Sequence, residues 1–468
     1  MRKIISWAKV SLAAGWLLAA CACNNGAPPP APSTEPLQKT NMSHSFKPLD
    51  WVKTTNVYEV NIRQYTPEGT FAAFAKELPR LKEMGVETLW LMPITPIAQK
   101  NKKGSMGSPY ACSDYKAINS EFGTLEDFKA LVKEAHTLGF KFIIDWVANH
   151  TGWDHRWTKE HPDYYLKDSA TQDFKIASGM DDIIELDYKN PALRKAMIEA
   201  MQYWVKECDI DGYRCDLASW VEVDFWQEAR PQVDAVKPLF WLGEFDETDQ
   251  PEYKPVFDCS YSWAWMHKTK DFYQKHLPLS VLDTLLHKYD TTVKNSMNLW
   301  FTTNHDENSW NGTEYEKYGD MAKALAVFSI TWNGVPLVYS GQELPNKKRL
   351  KFFEKDPIEW NGTYAMADFY KTLLGLKKRN PALRAGDQAV VTHLLQTDAP
   401  GQILAYLRKN SDNQVLVLLN MSKEKLRFEL KDAVVSGQYK NVFGGANNDF
   451  TNDRFFEMQP WEYLVYER

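Results

Sequence analysis

The residues best suited to chemistry are acidic and sit at the ends of short apolar runs. Gly212-Tyr213-Arg214-Cys215-Asp216 places an arginine two residues before an aspartate. Trp241-Leu242-Gly243-Glu244 and Asn304-His305-Asp306 each close a further apolar stretch. In a strand, residues two apart share a face, so Arg214 can pair with Asp216, while Cys215 points the other way. An arginine beside a carboxylate favours its ionised form, as a nucleophile requires. A glutamate near other carboxylates and an apolar wall is pushed toward neutral pKa, as a general acid–base requires. With Asp306 as a third carboxylate, the set supplies what breaking a sugar acetal needs: nucleophile, acid and charge stabiliser. Taken alone, Arg214 and Asp216 read equally well as a buried structural ion pair.

Such residues need a scaffold that brings strand ends together. From Asn56 onward, short apolar strands alternate with helical patterns, the signature of a parallel sheet with crossover helices. The expected strands are 57–60, 87–92, 140–144, 212–217, 240–243, a weaker one near 256–259, 297–302 and 335–339. One expected helix presents Phe71, Phe74, Leu78 and Leu81 on a single face and ends at Gly85. Thr124 with Asp127 makes a capping box for another, and Asn190-Pro191 starts a third. Eight strands with helices between them predict an α/β fold, a closed (β/α)8 TIM barrel with its site at the C-terminal strand ends. The stretch 149–186 after the third strand is too long for an ordinary loop and predicts a small subdomain over the barrel mouth. After about Ala385 short strands separated by turn residues predict a C-terminal antiparallel β-sandwich over 385–468, with the barrel occupying 47–384.

The N-terminus reads differently. Arg2, Lys3 and Lys9 precede an apolar stretch from Val10 to Ala20, which by charge and length is a secretory signal over 1–20. It ends Leu18-Ala19-Ala20-Cys21, which resembles a bacterial lipobox, with Cys21 as the acylated residue; a plain signal peptide is the alternative. Residues 24–45 carry five prolines and almost nothing apolar, so 21–46 reads as an extended tether. The expectation is export and membrane attachment through a lipid on Cys21, facing the periplasm or the cell surface. Removing the leader changes the net charge from −6 to −9, and no basic run recommends a nucleic-acid partner. Cys112, Cys208, Cys215 and Cys259 lack metal-type spacing and suggest no disulfide pairing. The 18 Trp and 22 Tyr enlarge a core and also offer faces on which sugars stack.

Across most of residues 51–468 the chain resembles glycoside hydrolase family 13, the α-amylase family. The motifs occur in the family's order: Asp145-Trp146-Val147-Ala148-Asn149-His150, Gly212 to Asp216, the run ending at Glu244, and Asn304-His305-Asp306. Ser108-Pro109-Tyr110, Glu121-Phe122-Gly123-Thr124 and the run from Gly334 to Glu343 support them. The resemblance implies a retaining hydrolase of α-1,4-glucan or maltooligosaccharides, with catalytic Asp216, Glu244 and Asp306. It implies substrate contacts from Tyr110, His150, Arg214 and His305, and an orienting role for Asp145 on Arg214. No organic cofactor is implied; Asn149 matches a frequent calcium ligand, with Asp181, Asp182 or Asp187 as further oxygen donors. Where many α-amylases carry Lys-His after the nucleophile, this chain has Ser219-Trp220, which leaves chain length, linkage and acceptor choice open. A 4-α-glucanotransferase, a neopullulanase- or cyclomaltodextrinase-like enzyme and a non-catalytic glycan-binding protein are the alternatives.

Overall fold

A computed structural model of the chain describes residues 47–468, apart from 294 and 295. The expected leader, Cys21 and the tether lie outside the described residues. Among those described, eight parallel strands close a barrel. They are β1 (Val57–Val60), β2 (Thr88–Leu91), β3 (Lys141–Val147), β4 (Gly212–Asp216), β5 (Phe240–Asp246), β6 (Cys259–Tyr261), β7 (Met297–Trp300) and β8 (Gly334–Tyr339). Closure comes from β1 against β8, with Val57 opposite Leu337. Every buried strand residue must choose between the lumen and the helical layer. Val57, Trp90, Ile143, Leu242 and Leu299 pack together inside, whereas Tyr58, Leu89, Phe142, Tyr213, Cys215 and Trp241 join the outer core beneath the helices. That alternation turns Cys215 away from the lumen, toward which Arg214 and Asp216 point.

Several element ends differ from the expected ones, each for a local reason. β3 runs three residues further, to Val147, so Asp145 lies within it. β4 stops at Asp216 because Leu217 adopts a left-handed conformation, with φ 42°. β5 continues through Glu244 to Asp246. β6 begins only at Cys259, since Pro251–Tyr253 form a 3-10 turn and Val256 N–H donates back to Tyr253 O at 3.0 Å. The first long helix splits into Phe71–Ala75 and Leu78–Met84; Glu77 N–H donates to Phe74 O, and Pro79 in the next turn has no N–H to continue the ladder. Thr124 and Asp127 form the reciprocal cap of the helix Leu125–Thr137, and the Asn190 side chain accepts from Ala192 N–H at the start of Pro191–Cys208.

Between β3 and the helix that follows, the chain leaves the barrel, and His150–Gly152 pairs with Ile183–Glu185 in a short antiparallel ribbon. Beyond the barrel a six-stranded antiparallel sheet packs against a two-stranded one, Leu426–Glu429 with Phe455–Met458. One face of the larger sheet buries Leu407, Leu416 and Leu418 with Phe428 and Phe456; the other buries Tyr406, Val417 and Val465 with the barrel's helices. Tyr406 meets Trp332 edge-on at 4.9 Å, and its hydroxyl lies 2.6 Å from Thr331 Oγ1. Gln438–Asn441, Asn447–Asp449 and Phe455–Met458 are strands that apolar alternation does not reveal, the first two being mostly polar. No helix among the described residues is long and apolar enough to cross a membrane. Cys112, Cys208, Cys215 and Cys259 are buried free thiols.

Gly212 starts the strand that carries Arg214, and a Cβ there would stand 2.2 Å from Phe240 O on β5. Gly212→Ala is therefore expected to push β4 off β5 and cost about 1–3 kcal/mol of stability, typical of overpacking. A lowered Tm with parallel loss of activity is the expected readout; a wild-type Tm would show that the strands yield without cost.

Candidate active site

The strand registers assemble the site. Asp145 on β3 is paired with Arg214 on β4, and Val147 with Asp216. Arg214 is paired with Leu242 and Cys215 with Gly243 on β5, which sets Glu244 beside Asp216. Between Gly243 and Asp246 the pairing with β6 shifts register, a local irregularity beside Glu244.

Arg214 is fully buried and gathers three carboxylates. Its Nη1 donates to Asp145 Oδ1 at 2.9 Å and to Asp216 Oδ1 at 2.7 Å. Its Nη2 stands 2.8 Å from Glu244 Oε2, a close ion pair outside hydrogen-bond geometry. Nε donates to Tyr261 Oη at 3.0 Å, and the guanidinium lies 5.1 Å from the Trp90 ring and 5.8 Å from that of Tyr110. Burial in this aromatic box removes solvent screening from the guanidinium, so its interactions with the acids are strong. Asp145 also accepts from Trp90 Nε1 at 3.2 Å and from Tyr110 Oη at 3.1 Å. Its side chain is sealed from solvent, whereas those of Asp216 and Glu244 keep 9 % and 10 % exposure, an opening toward a ligand.

Burial pushes Glu244 up to about 7; Arg214 opposes this, while Asp216 and Asp306 reinforce it. Burial also raises Asp216 to about 6 against the pull of Arg214, so the arginine limits the rise without reversing it. Asp145 follows the same balance to about 6. Of the two facing carboxyls Glu244 is raised further, so it holds a proton more readily than Asp216 does. Leu217 N–H donates to Glu244 Oε2 at 2.8 Å, and it does so from the left-handed backbone that ends β4. A leucine held there spends conformational energy to aim that donor.

Asp306 opens the short π-helical turn Glu307–Asn311 and is 35 % exposed at its side chain. Burial raises its carboxyl, but His305, whose Nε2 lies 3.2 Å from Asp306 Oδ2, outweighs that and holds it below the ordinary value. Burial lowers His305, yet Asp306 and Glu59 together lift it well above the ordinary imidazole value. Glu59, fully buried on β1, contacts His305 Nδ1 through Oε1, while its Oε2 has no hydrogen-bond partner. Sequence reasoning missed Glu59, although a glutamate within Val57-Tyr58-Glu59-Val60 is an ionisable residue in an apolar strand. Tyr261 and Trp90, which line the guanidinium, were missed for the opposite reason: they read as ordinary core aromatics.

Tyr110 stacks on His305, with ring centroids 5.4 Å apart, and its hydroxyl lies 2.8 Å from His305 Nε2. His150 is buried, which lowers its imidazole to about 4 and keeps it neutral. Its Nδ1 lies 3.3 Å from Asn149 Nδ2, an amide nitrogen that only donates. The ring proton then falls on Nε2, which makes no hydrogen bond of acceptable geometry. The Tyr110 backbone carbonyl faces the same ring and favours its protonated form.

Asn149 is buried, and its backbone carbonyl accepts from Leu186 N–H at 3.1 Å. Asp181 and Asp182 face the Lys103 ammonium, at 2.8 and 3.4 Å, and no group of three His, Cys, Asp or Glu side chains among the described residues is placed to hold a metal.

Known proteins share this architecture. The family profile described as alpha amylase, catalytic domain, matches residues 38–182 and 163–388, and that of the maltogenic amylase C-terminal domain matches 393–465. The chain is 25 % identical to Alpha-amylase 2 of Dictyoglomus thermophilum, over 82 % of this chain and 68 % of that one. It is 24 % identical to a maltogenic alpha-amylase of Bacillus acidopullulyticus, over 91 % and 79 %, and 25 % identical to a cyclomaltodextrinase of Thermoanaerobacter pseudethanolicus, over 76 % and 64 %. Among solved structures, the maltogenic alpha-amylase AmyB of Thermotoga neapolitana superposes with a TM-score of 0.81 at 29 % identity, covering 89 % of this chain and 99 % of that one.

A carboxyl that titrates near 7 in the folded protein and near 4.5 in the unfolded chain stabilises the fold below pH 4.5, and that contribution is lost as pH rises through 7. Replacing Glu244 by Gln removes the charged form, so the variant should gain on wild type at pH 8 by on the order of 3 kcal/mol relative to pH 4. Paired thermal melts at the two pH values test this; a pH-independent Tm difference would mean that Glu244 carries an ordinary carboxylate.

Proposed function

The chain belongs to the α-amylase family of glycoside hydrolases, and from that premise we propose a retaining enzyme that cleaves α-1,4-glucosidic bonds in starch-like glucans or maltooligosaccharides. The observation that carries the reading is the single guanidinium of Arg214 holding Asp216 and Glu244 side by side, with carboxyl pKa values of about 6 and 7.

In the first step Asp216 attacks the anomeric carbon as the glycosidic C–O bond breaks, and Glu244 gives its proton to the departing oxygen. The sugar is then esterified to Asp216. In the second step Glu244, now ionised, takes a proton from water, the hydroxide oxygen bonds to the anomeric carbon and Asp216 leaves as a carboxylate. The Leu217 amide steadies the ionised Glu244 between the two steps. Asp306, kept anionic beside His305, faces the positive charge that develops on the sugar ring. His150 Nε2–H and the His305–Tyr110 pair meet the ring's hydroxyls and face. Asp145 touches no substrate in this scheme; it fixes the plane of Arg214.

Asp216→Asn is expected to lower kcat on maltoheptaose by about 10⁴-fold or more, the loss typical of a removed nucleophile, in a variant whose circular dichroism shows the fold intact. Near-wild-type hydrolysis by that variant would refute the assignment. The similarity to proteins named cyclomaltodextrinase and neopullulanase favours a second reading on the same barrel. Products from maltoheptaose, pullulan and cyclodextrins separate the two, and longer chains formed from maltoheptaose would identify a 4-α-glucanotransferase. Binding of soluble starch without any cleavage would identify a glycan-binding protein.

The sequence extends the proposal to location: the basic-apolar leader and Cys21 support export and lipid attachment. Detergent-phase partitioning of the native protein, lost in Cys21→Ser, is the expected result; aqueous partitioning of both would indicate a plain cleaved leader.

A further inference from the structure

An aromatic row leads from the reaction centre into solvent. Tyr110, stacked on His305, lies nearly parallel to Phe352, at 15° and 6.1 Å. Phe352 is 5.5 Å from Trp310, and Trp310 is 5.7 Å from Phe353. Trp310 sits on the turn that Asp306 opens and remains 54 % exposed. An indole left in water gains little from burial, so core packing does not account for its position.

Hydrogen bonds hold the row in place. Asn308 Oδ1 accepts from Leu350 N–H at 2.8 Å, and its Nδ2 donates to Lys348 O at 3.1 Å, which ties the turn after β7 to the segment after β8. Gln64 Nε2 donates to Lys351 O at 2.8 Å, and Met106 N–H donates to Phe353 O at 3.1 Å, tying that segment to the loops after β1 and β2. The rings thus stand on backbone fixed from three sides, as a surface prepared for a ligand is.

Direction follows from the chemistry. Glu244 and the Leu217 amide lie on β5 and the end of β4, and the departing oxygen must lie against Glu244. His305, Asp306 and Tyr110 lie on the other side, under the sugar that stays bonded to Asp216. The ring row begins at Tyr110 and His305 and continues through Phe352 to Trp310, so a chain extending from that sugar along the row would meet Trp310. Glucose rings carry apolar C–H faces, which an indole face matches.

We propose that Trp310, backed by Phe352 and Phe353, binds glucose units on the non-reducing side of the cleaved bond, beyond the sugar over Tyr110. The proposal rests on the glucan-cleaving reading above. It is tested by kcat and KM for each maltooligosaccharide from maltotriose to maltoheptaose, with wild type, Trp310→Ala and Trp310→Phe. In wild type KM should fall with chain length. Trp310→Ala should raise KM for maltoheptaose by about three- to tenfold, the worth of one aromatic contact, with kcat nearly unchanged and little effect on the shortest substrate cleaved. Trp310→Phe should recover most of the loss. Wild-type length dependence in Trp310→Ala overturns the shelf alone; a wild-type enzyme that cleaves no α-glucan overturns the activity reading, and the shelf with it.

Discussion

A fully buried guanidinium must be neutralised by its surroundings, and Arg214 faces Asp145, Asp216 and Glu244 at once. Much of the site follows from that constraint. Removing one partner of such a group leaves a buried charge uncompensated, which typically costs several kcal/mol, so the acids cannot drift independently. Their geometry is thereby fixed before any ligand arrives. The same arrangement sets their titration: burial raises all three carboxyls, and the shared arginine opposes each rise.

The barrel makes this cluster affordable. Neighbouring parallel strands set Asp145, Arg214 and the Asp216–Glu244 pair at adjacent registers, so three strands supply four charges within one side-chain length. Two departures from regularity complete the geometry. The left-handed Leu217 aims an N–H at Glu244, and the pairing of β5 with β6 shifts register between Gly243 and Asp246, beside Glu244. Across the lumen a second ionic group forms from Glu59, His305 and Asp306, where one imidazolium lies between two carboxylates. Both groups pair positive charge with acids, and they leave Asp306, at 35 % exposure, more open than Asp216 or Glu244.

Local physics wrote much of the fold into the sequence. Apolar strands alternating with capped helices are legible because a buried parallel strand must be apolar and a helix start needs a cap, as at Thr124 and Asn190. The polar strands Gln438–Asn441 and Asn447–Asp449 were illegible, since sheet pairing and not side-chain pattern defines them. The motifs likewise singled out Arg214, Asp216, Glu244 and Asp306, because each is a charge closing an apolar run.

What the sequence by itself determined is therefore which residues carry charge and which segments are buried. Tertiary structure decided where those charges meet. Glu59 is 246 residues from His305 and became its partner only through barrel closure. The arginine was expected to dominate the pKa of Asp216; burial outweighed it, and burial depends on everything packed around the site. Desolvation and convergence are properties of three-dimensional surroundings, which no run of neighbouring residues contains.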